Sequence, residues 1–264
     1  MKRRDFIKSS LTVSALASAG STALMAAQAA AGREYYELRA YRFKAGADHK
    51  LLDGFLEKAL VPGLNRLGFQ PIGVFTEMEI KDNTPSVYVL IPYPSLEAFG
   101  TAWARLNADS EYQEAGKEYL QTPKTSPGFL RIDSWLLLAF AGMPKLELPA
   151  YCKEKKQRIF EMRTYESHSE LKALNKVEMF NAGEIDAMRE VNLGPIFYGQ
   201  TLIGSSLPHL IYMLSGESRE THKQHFADFS KHPTWQKLKA DPQYQGNTSK
   251  TGGIFLVPTP FSQI

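Results

Sequence analysis

Two short segments of the chain carry the same three side chains at the same spacing, Glu37-x-Arg39-x-Tyr41 and Glu161-x-Arg163-x-Tyr165. Alternate residues of a strand share a face, so each segment brings a carboxylate, a guanidinium and a phenol side by side. A guanidinium fork can hold a carboxylate or an enolate, and a glutamate or tyrosine can move a proton. Two such sets facing one cavity would flank a single anionic ligand. The same residues have a purely structural use, because a buried Glu and Arg satisfy each other and tyrosine hydroxyls complete the network. Both readings stay open. Glu37, Arg39, Tyr41, Glu161, Arg163 and Tyr165 are therefore ligand-binding candidates, and no catalytic role is assigned.

Histidines are the other candidates. His222 and His225 stand three apart in a helical segment and share a face, with His232 just beyond. Metal ligation would need Asp228 or Glu220 as well, and no paired ligand cluster supports it. The corresponding earlier stretch holds Ala98, Phe99 and Ala102, so these histidines read as solvated or core-edge side chains of one copy only. His49 and His168 sit beside helix starts. No axial-ligand motif favours haem. There is no Gly-x-Gly-x-x-Gly, no phosphate-cradling Gly-x-x-x-x-Gly-Lys and no Gly-x-Ser-x-Gly, which disfavours dinucleotide enzymes, kinases and serine hydrolases. No cofactor and no metal is expected.

The elements that must position these residues follow from periodicity. The segment Tyr36 to Tyr41 recurs as Phe160 to Tyr165, 124 residues later, and the offset persists as Pro71-Ile72 with Pro195-Ile196, Tyr88 with Tyr212 and Leu90 with Leu214. Trp103, Leu106 and Tyr112 fall on Phe226, Phe229 and Trp235 at an offset of 123. A repeat this long predicts two similar domains, 32–142 and 157–264, joined by a Pro- and Lys-rich linker, 143–156. Within the first copy, Tyr36 to Phe43 alternates as a strand, and Ala47 to Leu67 carries a leucine-rich helical stripe ended by Gly68. Phe69 to Ile80 and Val87 to Ile91 read as a hairpin around Lys81 to Pro85. A helix capped by Ser95 follows, and Phe129 to Ala141 closes the copy as a strand. Strand, helix, strand, strand, helix, strand is the ferredoxin-like, split βαβ order.

Such a domain is α+β, with helices on one sheet face only, so the other face needs a partner. Two tandem copies can supply one to each other as a pseudo-dimeric α+β barrel. The alternative is a barrel formed between chains in a homo-oligomer. If Tyr36, Leu38 and Ala40 meet the helices, Glu37, Arg39 and Tyr41 point into the barrel interior, joined by Glu161, Arg163 and Tyr165.

Composition bounds what remains. The chain has 264 residues, 43% hydrophobic and 22% charged, which excludes disorder and fits one large or two small globular units. Lys2, Arg3, Arg4 and Lys8 against Asp5 account for the formal charge of +3, so the remainder is neutral and carries no footprint for nucleic acid. Residues 1–31 read as a secretory signal, with a charged start, an apolar stretch from Leu11 to Ala27 and the exit Ala27-Gln28-Ala29. Arg3-Arg4-Asp5-Phe6-Ile7-Lys8 resembles the twin-arginine type and predicts a periplasmic or secreted protein. No later segment approaches roughly 18 uninterrupted apolar residues, so no membrane partner is expected after signal removal. Cys152 is the lone cysteine and reads as a bland linker residue without an intramolecular disulfide.

The Glu-x-Arg-x-Tyr strand that opens both copies, together with Phe226-Ala-Asp-Phe-Ser-Lys-His-Pro-Thr-Trp235, resembles the NIPSNAP family of dimeric α+β barrel proteins. The resemblance spans two tandem domains. It implies a ferredoxin-like barrel and relatives that bind or oxidise small organic molecules, in a family whose members mostly lack an established reaction. The ligand so implied is a small aromatic or anionic molecule in the barrel interior, handled by a binding module or a cofactor-free enzyme. The alternative is a structural or interaction protein with a filled barrel, and behind it a haem- or metal-dependent enzyme.

Overall fold

The computed structural model describes residues 32–80 and 84–264. The expected signal, 1–31, lies outside the described residues, as do Lys81, Asp82 and Asn83 of the expected hairpin turn. The first half contributes β1 (Tyr35–Arg42), β2 (Gly73–Glu77), β3 (Ser86–Tyr93) and β4 (Arg131–Ala139). The second contributes β5 (Ile159–Glu166), β6 (Pro195–Ile203), β7 (His209–Gly216) and β8 (Lys250–Pro258). They close into one barrel in the order β1-β3-β2-β8-β5-β7-β6-β4, each strand antiparallel to both neighbours. The barrel thus forms within one chain. The halves meet at β2–β8, with Phe75 opposite Pro258, and at β4–β6, with Leu138 opposite Gln200. Strand direction alternates around the ring, so β1 and β5 run the same way and the pseudo-twofold axis lies along the barrel.

The helices cover the outside. In chain order they are α1 (Lys50–Phe55), α2 (Val61–Arg66), α3 (Leu96–Asn107), α4 (Ser110–Leu120), α5 (Ala150–Lys153) in the linker, α6 (Glu170–Met179), α7 (Ile185–Glu190), α8 (Arg219–Lys231) and α9 (Pro233–Ala240). The single long helix expected from Ala47 to Leu67 is interrupted. A π-helical turn, Leu56–Leu60, joins α1 to α2, and a second, Phe180–Glu184, joins α6 to α7 at the same place in the repeat. Ser95 caps α3 as its position predicts, its hydroxyl accepting from the Ala98 N–H at 3.1 Å. Ser218 and Thr221 form a reciprocal capping box on α8. Asp109 starts α4, a separate helix that hydrophobic periodicity did not mark, by accepting from the Glu111 and Tyr112 N–H groups.

Three main cores follow from the closure. The lumen is packed by Tyr36, Leu38 and Ala40 of β1, Phe160 and Met162 of β5, and Phe75, Phe197 and Leu256 from their neighbours. The linker plugs one end: Leu146, Leu148, Tyr151 and Cys152 pack on this cluster, as does the terminal Ile264. Cys152, read as bland, is in fact 1% exposed. The other two cores lie between the sheet and the helices, Tyr41 with Phe55, Leu60 and Leu106 in the first half, Phe180, Met188 and Phe229 with Tyr165 in the second. The expected sidedness of β1 and β5 is therefore reversed. Tyr36, Leu38 and Ala40 face the lumen, and Glu37, Arg39, Tyr41, Glu161, Arg163 and Tyr165 lie on the outer face, under the helices. The physical reason is space: a narrow eight-stranded lumen packs side chains that carry no charge, whereas the gap beneath a helix leaves an ion pair a route to water. Among the described residues, no helix is long and apolar enough to cross a membrane.

Candidate functional site

Each half buries its Glu-Arg pair under the first helix that follows its inner hairpin, and the two halves use the space differently. In the first, Glu37 accepts from Arg39 Nε at 2.5 Å, from the Ser134 hydroxyl at 2.9 Å and from the Tyr93 hydroxyl at 3.1 Å. The Arg39 guanidinium lies 3.7 Å from the centre of the Trp103 ring, which α3 lays across it. Glu37 is 2% exposed. The Glu37 carboxylate is thus fully paired, while the Arg39 side chain keeps 17% exposure.

In the second half the same positions are opened. The strand position that supplies Ser134 beside Arg39 supplies Gly253 beside Arg163, since Arg39 pairs with Ser134 and Arg163 with Gly253 across the ladder. A smaller ring, Phe226, replaces Trp103, its centre 5.2 Å from the Arg163 guanidinium. Glu161 now accepts from Arg163 Nη1 at 2.5 Å and bonds His222 Nε2 at 2.9 Å. Arg163 Nη2 reaches the Tyr165 hydroxyl at 3.4 Å, which also accepts from Tyr212 at 2.8 Å. His222, expected to be solvated or at the core edge, is 1% exposed and stands over the pair. That expectation is corrected: α8 carries His222, Phe226 and Phe229 at helical spacing, and this stripe faces the sheet.

Over this group lies a cavity of about 460 Å³ lined by Glu161, Arg163, Arg219, Glu220, His222, Lys223, Phe226 and Phe255. Arg219 sits 4.4 Å from the centre of the Phe255 ring and pairs with Glu79. Three cationic side chains and two aromatic rings thus border a space large enough for a small ligand. Burial pushes the Glu161 carboxyl up, but the hydrogen bond from His222 and the Arg163 charge outweigh it and hold the group below its ordinary value. Arg163 is likewise held charged: burial opposes the charge, and Tyr212, Tyr165 and Glu161 favour it more strongly. An ionised Glu161 can only accept, so His222 Nε2 carries the hydrogen. His222 Nδ1 lies buried beside Gly216 and has no hydrogen-bond partner.

Of the six candidates, the structure brings Glu37, Arg39 and Tyr41 together in one place and Glu161, Arg163 and Tyr165 in another; it does not bring the two sets together. Arg219, Lys223 and Phe255 were not singled out in the sequence. His225 is not among the residues lining this cavity, and His232 pairs with Glu190 at 2.9 Å. Among the described residues, no three His, Cys, Asp or Glu side chains cluster so as to hold a metal ion.

A closed barrel of two ferredoxin-like halves, each with its charged pair under the helices, defines a dimeric α+β barrel protein fused into one chain. The NIPSNAP family model matches residues 36–125 and 160–263, and the chain belongs to that family. Among solved structures it is similar to a candidate monooxygenase from Lactobacillus acidophilus, at 8% identity and a TM-score of 0.54, covering 86% of this chain and 94% of that one. A candidate monooxygenase from Fusobacterium nucleatum matches at 9% identity and a TM-score of 0.52, over 86% and 93%. A NIPSNAP-like domain protein from Burkholderia xenovorans matches at 24% identity and a TM-score of 0.36, over 40% of this chain and 89% of that one. None of the curated proteins compared with the chain matches it.

Proposed function

We propose that the chain binds a small aromatic anion in the cavity beneath α8. The observation that carries the reading is the loss of pseudo-symmetry: Trp103, Ser134 and Tyr93 surround the pair in the first half, whereas in the second a buried His222 bonds Glu161 and a cavity borders both Glu161 and Arg163. Phe226 and Phe255 offer ring faces, and Arg163, Arg219 and Lys223 offer charge to a carboxylate or enolate. Glu161, bonded to both Arg163 and His222, holds the Arg163 guanidinium at the cavity wall, where its charge and that of Arg219 can stabilise the bound anion. The charge of Arg219 is shared with Glu79.

Thermal-shift titration with salicylate and benzoate tests the reading. At about 100 times the dissociation constant a ligand stabilises by about 2.7 kcal/mol, which raises the melting temperature by roughly 5–10 °C in a chain of this size. The parent and Arg39→Gln should shift alike, and Arg163→Gln should shift little. Equal loss in both variants, or no shift in the parent, contradicts it.

Export rests on residues 1–31 alone. The paired Arg3-Arg4 and the weakly apolar stretch behind them support delivery of the folded chain to the periplasm by the twin-arginine route. Replacing both arginines by lysine should leave the protein in the cytoplasm, and unchanged fractionation would refute this route.

A further inference from the structure

We propose that the unplugged end of the barrel lumen is a second binding site, for a small neutral aromatic molecule bearing one hydrogen-bonding group. It is separate from the cavity beneath α8, which lies on the other side of the sheet, and it stands whether or not that cavity binds an anion.

The linker and Ile264 fill the end of the lumen where β1 and β5 begin. At the end where they finish, a cavity of about 260 Å³ remains. Leu38, Met162, Ile211 and Ile254 line its apolar part and Trp135 flanks it. The space comes from another broken symmetry. Ala40 pairs with Asp133 in the first half and Thr164 with Gly252 at the same place in the second. Asp133 is held by Arg42, so the first half fills its share of the mouth with an ion pair. Gly252 fills nothing, and a Cβ built on it would meet no atom within 4 Å.

The polar groups select the ligand. His209 lines the cavity, is 2% exposed, and its Nδ1 has no hydrogen-bond partner. Burial pushes its imidazole below the ordinary value, the backbone at Ser206 and the charge of Glu166 only partly opposing, so it is neutral at pH 7. Glu166 is the carboxylate on the wall, and Lys250 pairs with it at 2.8 Å. The wall therefore offers no unmatched cation to an anion, and the His209 ring on it keeps a buried nitrogen without a hydrogen-bond partner, which a hydroxyl or N–H would satisfy. An apolar cavity of about 150 Å³ accommodates benzene, so about 260 Å³ fits a substituted ring or two fused rings.

Calorimetric titration of the full chain with p-cresol and with indole tests the site. Each should bind saturably at one equivalent, with benzoate failing to compete. Gly252→Leu places a side chain in open space and should weaken both probes at least tenfold without lowering the melting temperature. His209→Phe, which keeps a ring but removes the nitrogen, should weaken p-cresol at least fivefold. Absence of saturable binding by the parent overturns the proposal, as does binding by folded Gly252→Leu or His209→Phe equal to that of the parent.

Discussion

Glu161→Gln keeps the shape of the side chain and removes its charge, which makes it the sharpest probe of the second half's pair. Removing one partner of a fully buried ion pair costs about 3–5 kcal/mol, because the other charge is left without compensation. Arg163, however, keeps 24% of its side chain exposed and borders a cavity, so water offsets part of that cost. The amide that replaces the carboxylate can still accept one of the two bonds that Glu161 accepts from Arg163 and His222. A loss of about 2 kcal/mol at pH 7 follows, or roughly 4–8 °C in melting temperature for a chain of this size. The loss must depend on pH. Because Glu161 titrates below its ordinary 4.5 in the folded chain, its contribution is complete above 4.5 and disappears as pH falls through the depressed value. Thermal unfolding of parent and variant from pH 7 down to the acid limit should therefore show two curves that converge in acid. A variant as stable as the parent at pH 7, or a gap that persists unchanged in acid, would refute the account of this pair.

Two further predictions concern the plugged end of the barrel. Cys152 is buried and its thiol is pushed up to about 11 by that burial, so iodoacetamide at pH 8 should modify it at least a hundredfold more slowly in the folded chain than in denaturant; equal rates would place it at the surface. Gly194 has a φ of +56, and a Cβ there would collide with the Tyr151 hydroxyl, which donates to Ser215 as Ser215 donates to the Gly194 carbonyl. Gly194→Ala should cost about 2–4 kcal/mol in denaturant unfolding and loosen the linker, with Cys152 alkylation accelerated; an unchanged midpoint would contradict the packing of Tyr151.

The duplication, the element order and the α+β barrel were legible from the two Glu-Arg-Tyr strands and the aromatic residues of the distal helices, but the offset of 124 fails in β3 and β7: Tyr88 and Leu90 pack in the lumen whereas Tyr212 and Leu214 pack under the helices, and the strand ladder matches Tyr88 with Ile211 instead. The six residues of the two Glu-Arg-Tyr sets were legible as a group, since strand alternation alone puts them on one face. Which face that is was not. In a barrel wrapped by helices both sides of a strand are buried, so Tyr36, Leu38 and Ala40 fit the lumen as well as they fit a helix layer, and alternation cannot choose between them. His222 was misread because its neighbour His225 drew attention to spacing for metal ligation. The informative pattern was the stripe His222, Phe226 and Phe229, which puts an imidazole on the buried side of α8. The openness of the second site was not legible at all. It depends on Gly253 standing where the first half has Ser134, and those residues are matched through the strand ladder rather than by a sequence offset near 124.

The most direct test of the central claim is the long-range proton–nitrogen spectrum of the six imidazoles, with His222 identified by its absence in His222→Phe. At pH 7.5 His222 Nε2 should carry a hydrogen, and the His222 ring resonances should move as salicylate is added while those of His49, in the first half, stay fixed. A His222 Nε2 without a hydrogen in the free chain, or a His222 signal indifferent to saturating salicylate, would contradict an anion site bordered by the His222–Glu161 pair.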